Sequence, residues 1–155
     1  RIETVDGRRI AVIDVPEGSE KGQHWLTAPV DLTPFLDRRV TMSVRCRWSG
    51  VTPPLEPWNG VKFMASFLNG EGRRVYPQWD GFPQAERWGR HDRRRAYWRY
   101  AYPADAKDCE LTLGLETSSG YAEFRNVRFF TEEAPVSILT LSPPLRCRPG
   151  RSTAA

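Results

Sequence analysis

Flat rings, amides and charges gather in a few short stretches of this chain. They are Trp58-Asn59-Gly60-Val61-Lys62-Phe63-Met64, then Tyr76-Pro77-Gln78-Trp79, with Leu111-Thr112-Leu113-Gly114-Leu115 beyond. The chemistry such a set performs is recognition by stacking and hydrogen bonding. A ring laid on the apolar C–H face of a pyranose removes apolar area from water, worth about 1–2 kcal/mol. Amides and carboxylates beside it then fix the hydroxyls. Trp58, Tyr76, Trp79 and Trp88 flank loops or strand ends, where rings stay exposed, and Asn59, Gln78 and Glu116 supply polar contacts. Lys62 and Arg99 stand on the outward faces of their strands and complete the candidate set, although charges so placed ordinarily meet only solvent.

Other chemistries fit less well. A glycosidase needs two carboxyl groups about 5–10 Å apart in a cleft. Glu116, Glu123, Asp80 and Glu86 are the candidates, and the first two, on neighbouring strands joined by a short turn, are placed where proximity is geometrically possible, although acids on neighbouring strands are common by chance. Neither His24 nor His91 has a nucleophile signature beside it, so no catalytic residue is assigned and the chain is read as non-enzymatic. Cys46, Cys109 and Cys147 match no metal-ligand spacing. The run Arg87–Arg99 interleaves arginine with rings, which suits phosphate contact with base stacking. No RNA-module signature accompanies it, and Pro77–Gln84 has no basic residue. Nucleic acid is therefore the less favoured partner. The 23 basic residues are interspersed with 19 acidic ones, for a net charge of +4, so no strong uniform field is expected.

The elements that position these residues read as short strands. Val40–Trp48 alternates strictly: Val40, Met42, Val44, Cys46 and Trp48 share one face, and Thr41, Ser43, Arg45 and Arg47 share the other. Ile10–Val15, the stretch from Trp25, Val61–Leu68, Arg73–Tyr76, Ala96–Tyr102, Glu110–Glu116 and Tyr121–Phe130 read as further strands. Asn69-Gly70-Glu71-Gly72 is a turn, Thr33 is placed to cap a single helical turn at Pro34, and Pro77–Arg95 reads as a long surface loop. Cys46 and Cys109 fall in core phase and are read as buried thiols rather than a disulfide. Trp48 and Trp98 are assigned to packing by phase, and Trp25 is read as structural. Thirteen prolines and twelve glycines, evenly scattered, suit many short strands. The sum is an all-β antiparallel β-sandwich or jelly roll of about eight or nine strands without a major helix.

Val30-Asp-Leu-Thr-Pro-Phe-Leu-Asp-Arg-Arg-Val40, Trp58-Asn-Gly-Val-Lys-Phe63, Trp98-Arg-Tyr with Pro103-Ala-Asp105, and Leu113-Gly-Leu-Glu-Thr-Ser-Ser-Gly-Tyr-Ala-Glu-Phe-Arg-Asn-Val-Arg-Phe129 occur in that order. Together they resemble the jelly-roll carbohydrate-binding modules of the family 4, 9, 16 and 22 type. The likeness is greatest to those appended to bacterial glycoside hydrolases such as family 5. The resemblance implies a non-catalytic module that binds plant cell-wall polysaccharide (β-glucan, cellulose included, or xylan) and is covalently linked to a glycoside hydrolase domain. Alternatives are an accessory sandwich with no sugar site of its own, or an arginine-aromatic nucleic-acid binder. Similar modules often carry Phe-Asp-Asp-Val, whose acids help hold a structural calcium. Here the segment is Phe124-Arg125-Asn126-Val127, and the added positive charge disfavours that ion. No other cofactor is expected.

Residues 1–133 are read as the sandwich domain and 134–155, which lack periodicity, as a linker or irregular tail. No apolar run approaches the roughly 18 residues that span a bilayer, so no membrane partner is expected. The chain starts at Arg1 without a signal-like segment and reads as a piece of a longer, secreted precursor.

Overall fold

Period-two alternation is the force that builds this molecule. The computed structural model describes residues 1–19, 21–77, 88–131, 134–138 and 146–147. Eleven strands occur among them: β1 (Ile2–Val5), β2 (Arg8–Val15), β3 (Gln23–Val30), β4 (Arg39–Val51), β5 (Gly60–Leu68), β6 (Arg74–Val75), β7 (Gly89–Ala101), β8 (Lys107–Glu116), β9 (Gly120–Thr131), β10 (Ala134–Ile138) and β11 (Arg146–Cys147). They form two antiparallel sheets. One runs β1-β2-β9-β4-β7 with β10 added on β9, and the other runs β11-β3-β8-β5-β6. All pairings are antiparallel, so the architecture is the sandwich that the alternation predicts.

Except at β1–β2, β5–β6 and β9–β10, the chain crosses from one sheet to the other at each connection. Inward-facing residues of both sheets then meet in a single core. Met42, Trp48, Phe63, Phe67, Trp98, Tyr102, Leu111, Leu113, Leu115, Phe124 and Phe129 are all fully buried there. Trp48 and Trp98 are packing residues, as their phase requires. Phe67 brings the two sheets together at one end, its ring 5.4 Å from that of Tyr102 and 5.8 Å from that of Tyr100. Cys46 and Cys109 are both buried, on opposite sheets, and Cys109 is a free thiol.

Some elements differ from the sequence reading. β7 begins at Gly89, so Gly89–Arg95, expected within a surface loop, is strand paired to β4. As the outermost strand of its sheet, β7 can hold arginines because its outer side chains stay in water. The helical turn is a 3-10 turn at Thr33–Phe35. Asp31 Oδ1 accepts the Thr33 N–H at 2.9 Å, so Asp31 does the work expected of the Thr33 side chain. Hydrogen bonding from the Thr33 side chain, and then from this backbone N–H, holds the Asp31 carboxyl below its usual range. Three strands were not anticipated: β1, which pairs with β2, and β10 and β11, which lie in the stretch read as linker or tail and pair with β9 and β3.

Candidate functional site

The solvent face of the five-stranded sheet collects the residues that alternation turns away from the core. On β8, Leu111, Leu113 and Leu115 point inward, leaving Glu110, Thr112, Gly114 and Glu116 outward. On β5, Val61, Phe63, Ala65 and Phe67 are buried, leaving Lys62, Met64 and Ser66 outward. On β3, Leu26, Ala28 and Val30 are buried, leaving Gln23, Trp25 and Thr27. Strand register sets these side by side in rows across three strands: Gln23–Glu116–Gly60, Trp25–Gly114–Lys62, Thr27–Thr112–Met64 and Pro29–Glu110–Ser66.

A groove of about 330 Å³ lies over these rows, with Trp25, Trp58 and Tyr76 in its lining. Trp58 is 56% exposed and Tyr76 62% exposed, values that leave most of each ring available to a ligand. Trp58 precedes β5, Tyr76 follows β6, and Trp25 lies on β3. Three strand spacings separate β3 from β6, about 14 Å. Gly114 lets the floor close up under Trp25. A Cβ there would collide with the Trp25 backbone and Cβ and with the His24 carbonyl oxygen.

Beside the rings runs a chain of polar contacts. Lys62 Nζ lies 2.6 Å from Glu116 Oε2 and donates to the Trp58 carbonyl oxygen at 2.9 Å. Gln23 Nε2 donates to Glu116 Oε1 at 3.3 Å. The Lys62 and Glu116 side chains are only 12% and 17% exposed, so this ion pair is sheltered from bulk water and held in place. Asn59 Nδ2 donates to Thr117 Oγ1 at 3.1 Å, which pins the backbone that presents Trp58. The arrangement offers fixed donors and acceptors next to flat apolar faces, the requirements for gripping sugar hydroxyls while stacking on the ring carbons.

Of the residues singled out from sequence, Trp58, Asn59, Lys62, Tyr76 and Glu116 line this one groove. Gln78 and Trp79 lie outside the described residues. Trp88 and Arg99 are elsewhere. Trp88 precedes β7, is half-buried against the core, and its carbonyl accepts the Trp48 indole N–H at 3.4 Å. Arg99 is exposed on β7, in the other sheet. Sequence reasoning missed Gln23 and Trp25. The signal was present, since both are out of phase with the buried Leu26, Ala28 and Val30 on the same strand.

Glu116 and Glu123, whose proximity the short turn between their strands allowed, are on different sheets, because the chain crosses over between β8 and β9. The Glu123 side chain is almost fully buried. Arg47 binds it with Nε and Nη2, each 2.6 Å from Oε2, Arg125 Nη2 lies 3.2 Å from Oε1, and Tyr121 Oη donates at 3.3 Å. That bond to Glu123 raises the Arg47 guanidinium further, and burial raises the Tyr121 phenol. Glu110 and Glu116 do share the groove, but six residues along one strand sets them about 20 Å apart, twice the span that carboxylates of a glycosidase use. Among the described residues no group of three or more His, Cys, Asp or Glu converges to hold a metal ion. In the Phe124–Val127 segment, Arg125 pairs with Glu123 and Asn126 takes a left-handed backbone (φ 52°) at a bulge.

A two-sheet antiparallel sandwich with a ring-lined groove on one outer face is thus what sequence and structure define. No protein-family model matches the chain. No curated protein matches it in sequence. Among solved structures, the fold is similar to that of the CBM22-1 and GH10 modules of endo-1,4-β-D-xylanase 10B from Clostridium thermocellum, determined with xylohexaose. The TM-score is 0.58 at 14% identity, and the match falls in the CBM22 region of that protein. It covers 84% of this chain and 23% of the other.

Proposed function

We propose that this chain is a non-catalytic carbohydrate-binding module that takes a neutral β-linked plant cell-wall polysaccharide, xylan or β-glucan, in the groove over β3, β8 and β5. The observation that carries the reading is the groove itself. Trp25, Trp58 and Tyr76 line it beside the anchored Gln23–Glu116–Lys62 contacts. The fold it shares with a protein solved with xylohexaose supports xylan as the first ligand to try. Binding proceeds by stacking sugar faces on the rings while Glu116, Lys62 and Gln23 exchange hydrogen bonds with the hydroxyls. A module of this kind serves a secreted glycoside hydrolase by holding it on its substrate.

Calorimetric titration with xylohexaose and cellohexaose, alongside native gels containing xylan or β-glucan, tests this. Retardation and a saturable heat are expected for at least one sugar. Trp58→Ala should weaken that binding by about five- to thirtyfold, the equivalent of about 1–2 kcal/mol. A folded protein that binds neither oligosaccharide and is retarded by neither polymer would reduce the module to a structural sandwich.

A further inference from the structure

The six-stranded sheet presents a second recess to solvent, on the side of the sandwich away from the groove. It measures about 380 Å³, and its lining includes Arg8, Arg45, Arg95, Arg128, Ser43 and Asn126. Strand register makes this an unusual concentration of charge. Arg45 on β4 is directly opposite Arg95 on β7 and directly opposite Arg125 on β9. Cβ atoms so paired are roughly 5 Å apart, and like charges there oppose folding. Elsewhere on the same face the conflict is resolved, because Glu123 takes both Arg47 and Arg125. Among the described residues no carboxylate lies within ion-pair distance of Arg8, Arg45, Arg95 or Arg128, and all four side chains belong to exposed residues.

The bulge adds shape to charge. Asn126 and Val127 together face Val44, so Val127 remains in the core while Asn126 and Arg128 both reach the recess. Ser43, directly opposite Arg128, contributes a polar floor. Opposite Ser43 on the other side is Tyr97, 41% exposed, with its hydroxyl 3.5 Å from Arg95 Nη1. Guanidinium groups bind planar and tetrahedral oxyanions through paired N–H bonds. A ring beside them offers a stacking face. Among the described residues of this face Tyr97 is the one exposed aromatic ring, not a series of stacking platforms past which a phosphate backbone would run.

We propose that this recess binds an acidic sugar unit, a pyranose bearing a carboxylate or a sulfate, within an anionic polysaccharide. The ligand's charge offsets the repulsion between Arg45 and Arg95 and their neighbours Arg8 and Arg128, and the site works independently of the ring-lined groove.

The test uses the full chain in native gels and calorimetry at about 150 mM salt, where weak long-range attraction is screened. The probes are polygalacturonate for the carboxylate, dextran sulfate for the sulfate, neutral xylan, and a single-stranded oligodeoxythymidylate. Retardation by one of the two acidic polysaccharides is expected. Arg45→Gln combined with Arg95→Gln should weaken it by about tenfold or more, since two charge-assisted contacts are lost. Arg128→Gln, a second route that leaves the β4–β7 row intact, should weaken it by less. The double variant should melt no lower than the parent, because like charges have been removed, and should bind neutral xylan as the parent does. The proposal is overturned by any of three results: no retardation on either acidic polysaccharide, equal loss on neutralising Arg73 far from the recess, or tighter binding to the oligonucleotide than to both acidic polymers.

Discussion

A methyl group added at Gly114 would meet the Cα and Cβ of Trp25 and the His24 carbonyl oxygen, all on the paired strand. Backbone cannot yield there cheaply, so Gly114→Ala should push Trp25 off its place in the groove. Overpacking of this kind costs about 1–3 kcal/mol of stability, and loss of one stacking face should weaken xylohexaose or cellohexaose binding by about five- to tenfold. Thermal melts and titration of the same sample check both effects; unchanged affinity would show that Trp25 is not a sugar platform. Glu116→Gln probes the polar side. It keeps the shape and an acceptor for Gln23 but removes the charge that Lys62 meets at 2.6 Å. Affinity should fall about three- to tenfold, the net worth of one ordinary hydrogen bond, since the amide oxygen still accepts, with little change in melting temperature. At this scale the sequence was partly legible. Phase along β8 and β5 set Glu116 and Lys62 on an outward face. Phase on β3 would have done the same for Trp25, but tryptophan is so often structural that its size outweighed its register. Trp88 was misplaced for the converse reason. Polar neighbours suggested an exposed loop, whereas its carbonyl serves the buried Trp48 indole.

The β4–β9 pairing holds the six-stranded sheet together, and Glu123 is its electrostatic pin. Arg47 is its direct cross-strand partner and Arg125 is two residues along the same strand. Neutralising Glu123 while keeping its shape leaves two cations beside a buried amide. Breaking a fully buried pair costs about 3–5 kcal/mol; here Arg47 is 45% exposed and can rehydrate, so about 1–3 kcal/mol is expected for Glu123→Gln. Chemical denaturation measures it, and a loss below about 0.5 kcal/mol, the range of ordinary surface changes, would show that Glu123 is dispensable. Elements as strict as Val40–Trp48 were plain from sequence because one face is buried and the other wet. Pairings were not. β8 and β9 are consecutive and joined by a three-residue connection, which ordinarily signals a hairpin, yet they lie in different sheets. Only tertiary packing decides that, and with it the separation of Glu116 from Glu123. β7 was truncated in the sequence reading because the arginines of its outer face hide an alternation that β4 enforces through pairing.

Closure of the two sheets over one core makes the whole molecule sensitive to alkali. Cys109 on β8 and Tyr102 just after β7 lie in that core. Burial pushes the Cys109 thiol, ordinarily near 9, up to about 12, and burial raises the Tyr102 phenol as well. Both groups hold their protons more tightly folded than unfolded. Below pH about 9 the thiol is protonated in both states and contributes no pH dependence. Between about 9 and about 12 the unfolded chain has lost the proton that the native state keeps, so stability falls as pH rises. The slope for one such group is at most about 1.4 kcal/mol per pH unit. Cys109→Ala removes that group at the cost of a small cavity, which lowers stability equally at every pH. The variant should therefore start lower at pH 7 and decline less steeply above pH 9, the two curves converging as the solution becomes more basic. Urea denaturation at successive pH values reads the slopes directly. Parallel curves for parent and variant would mean that the thiol ionises as easily inside the sandwich as outside it, and that the core at β8 is open to water in a way its packing does not suggest.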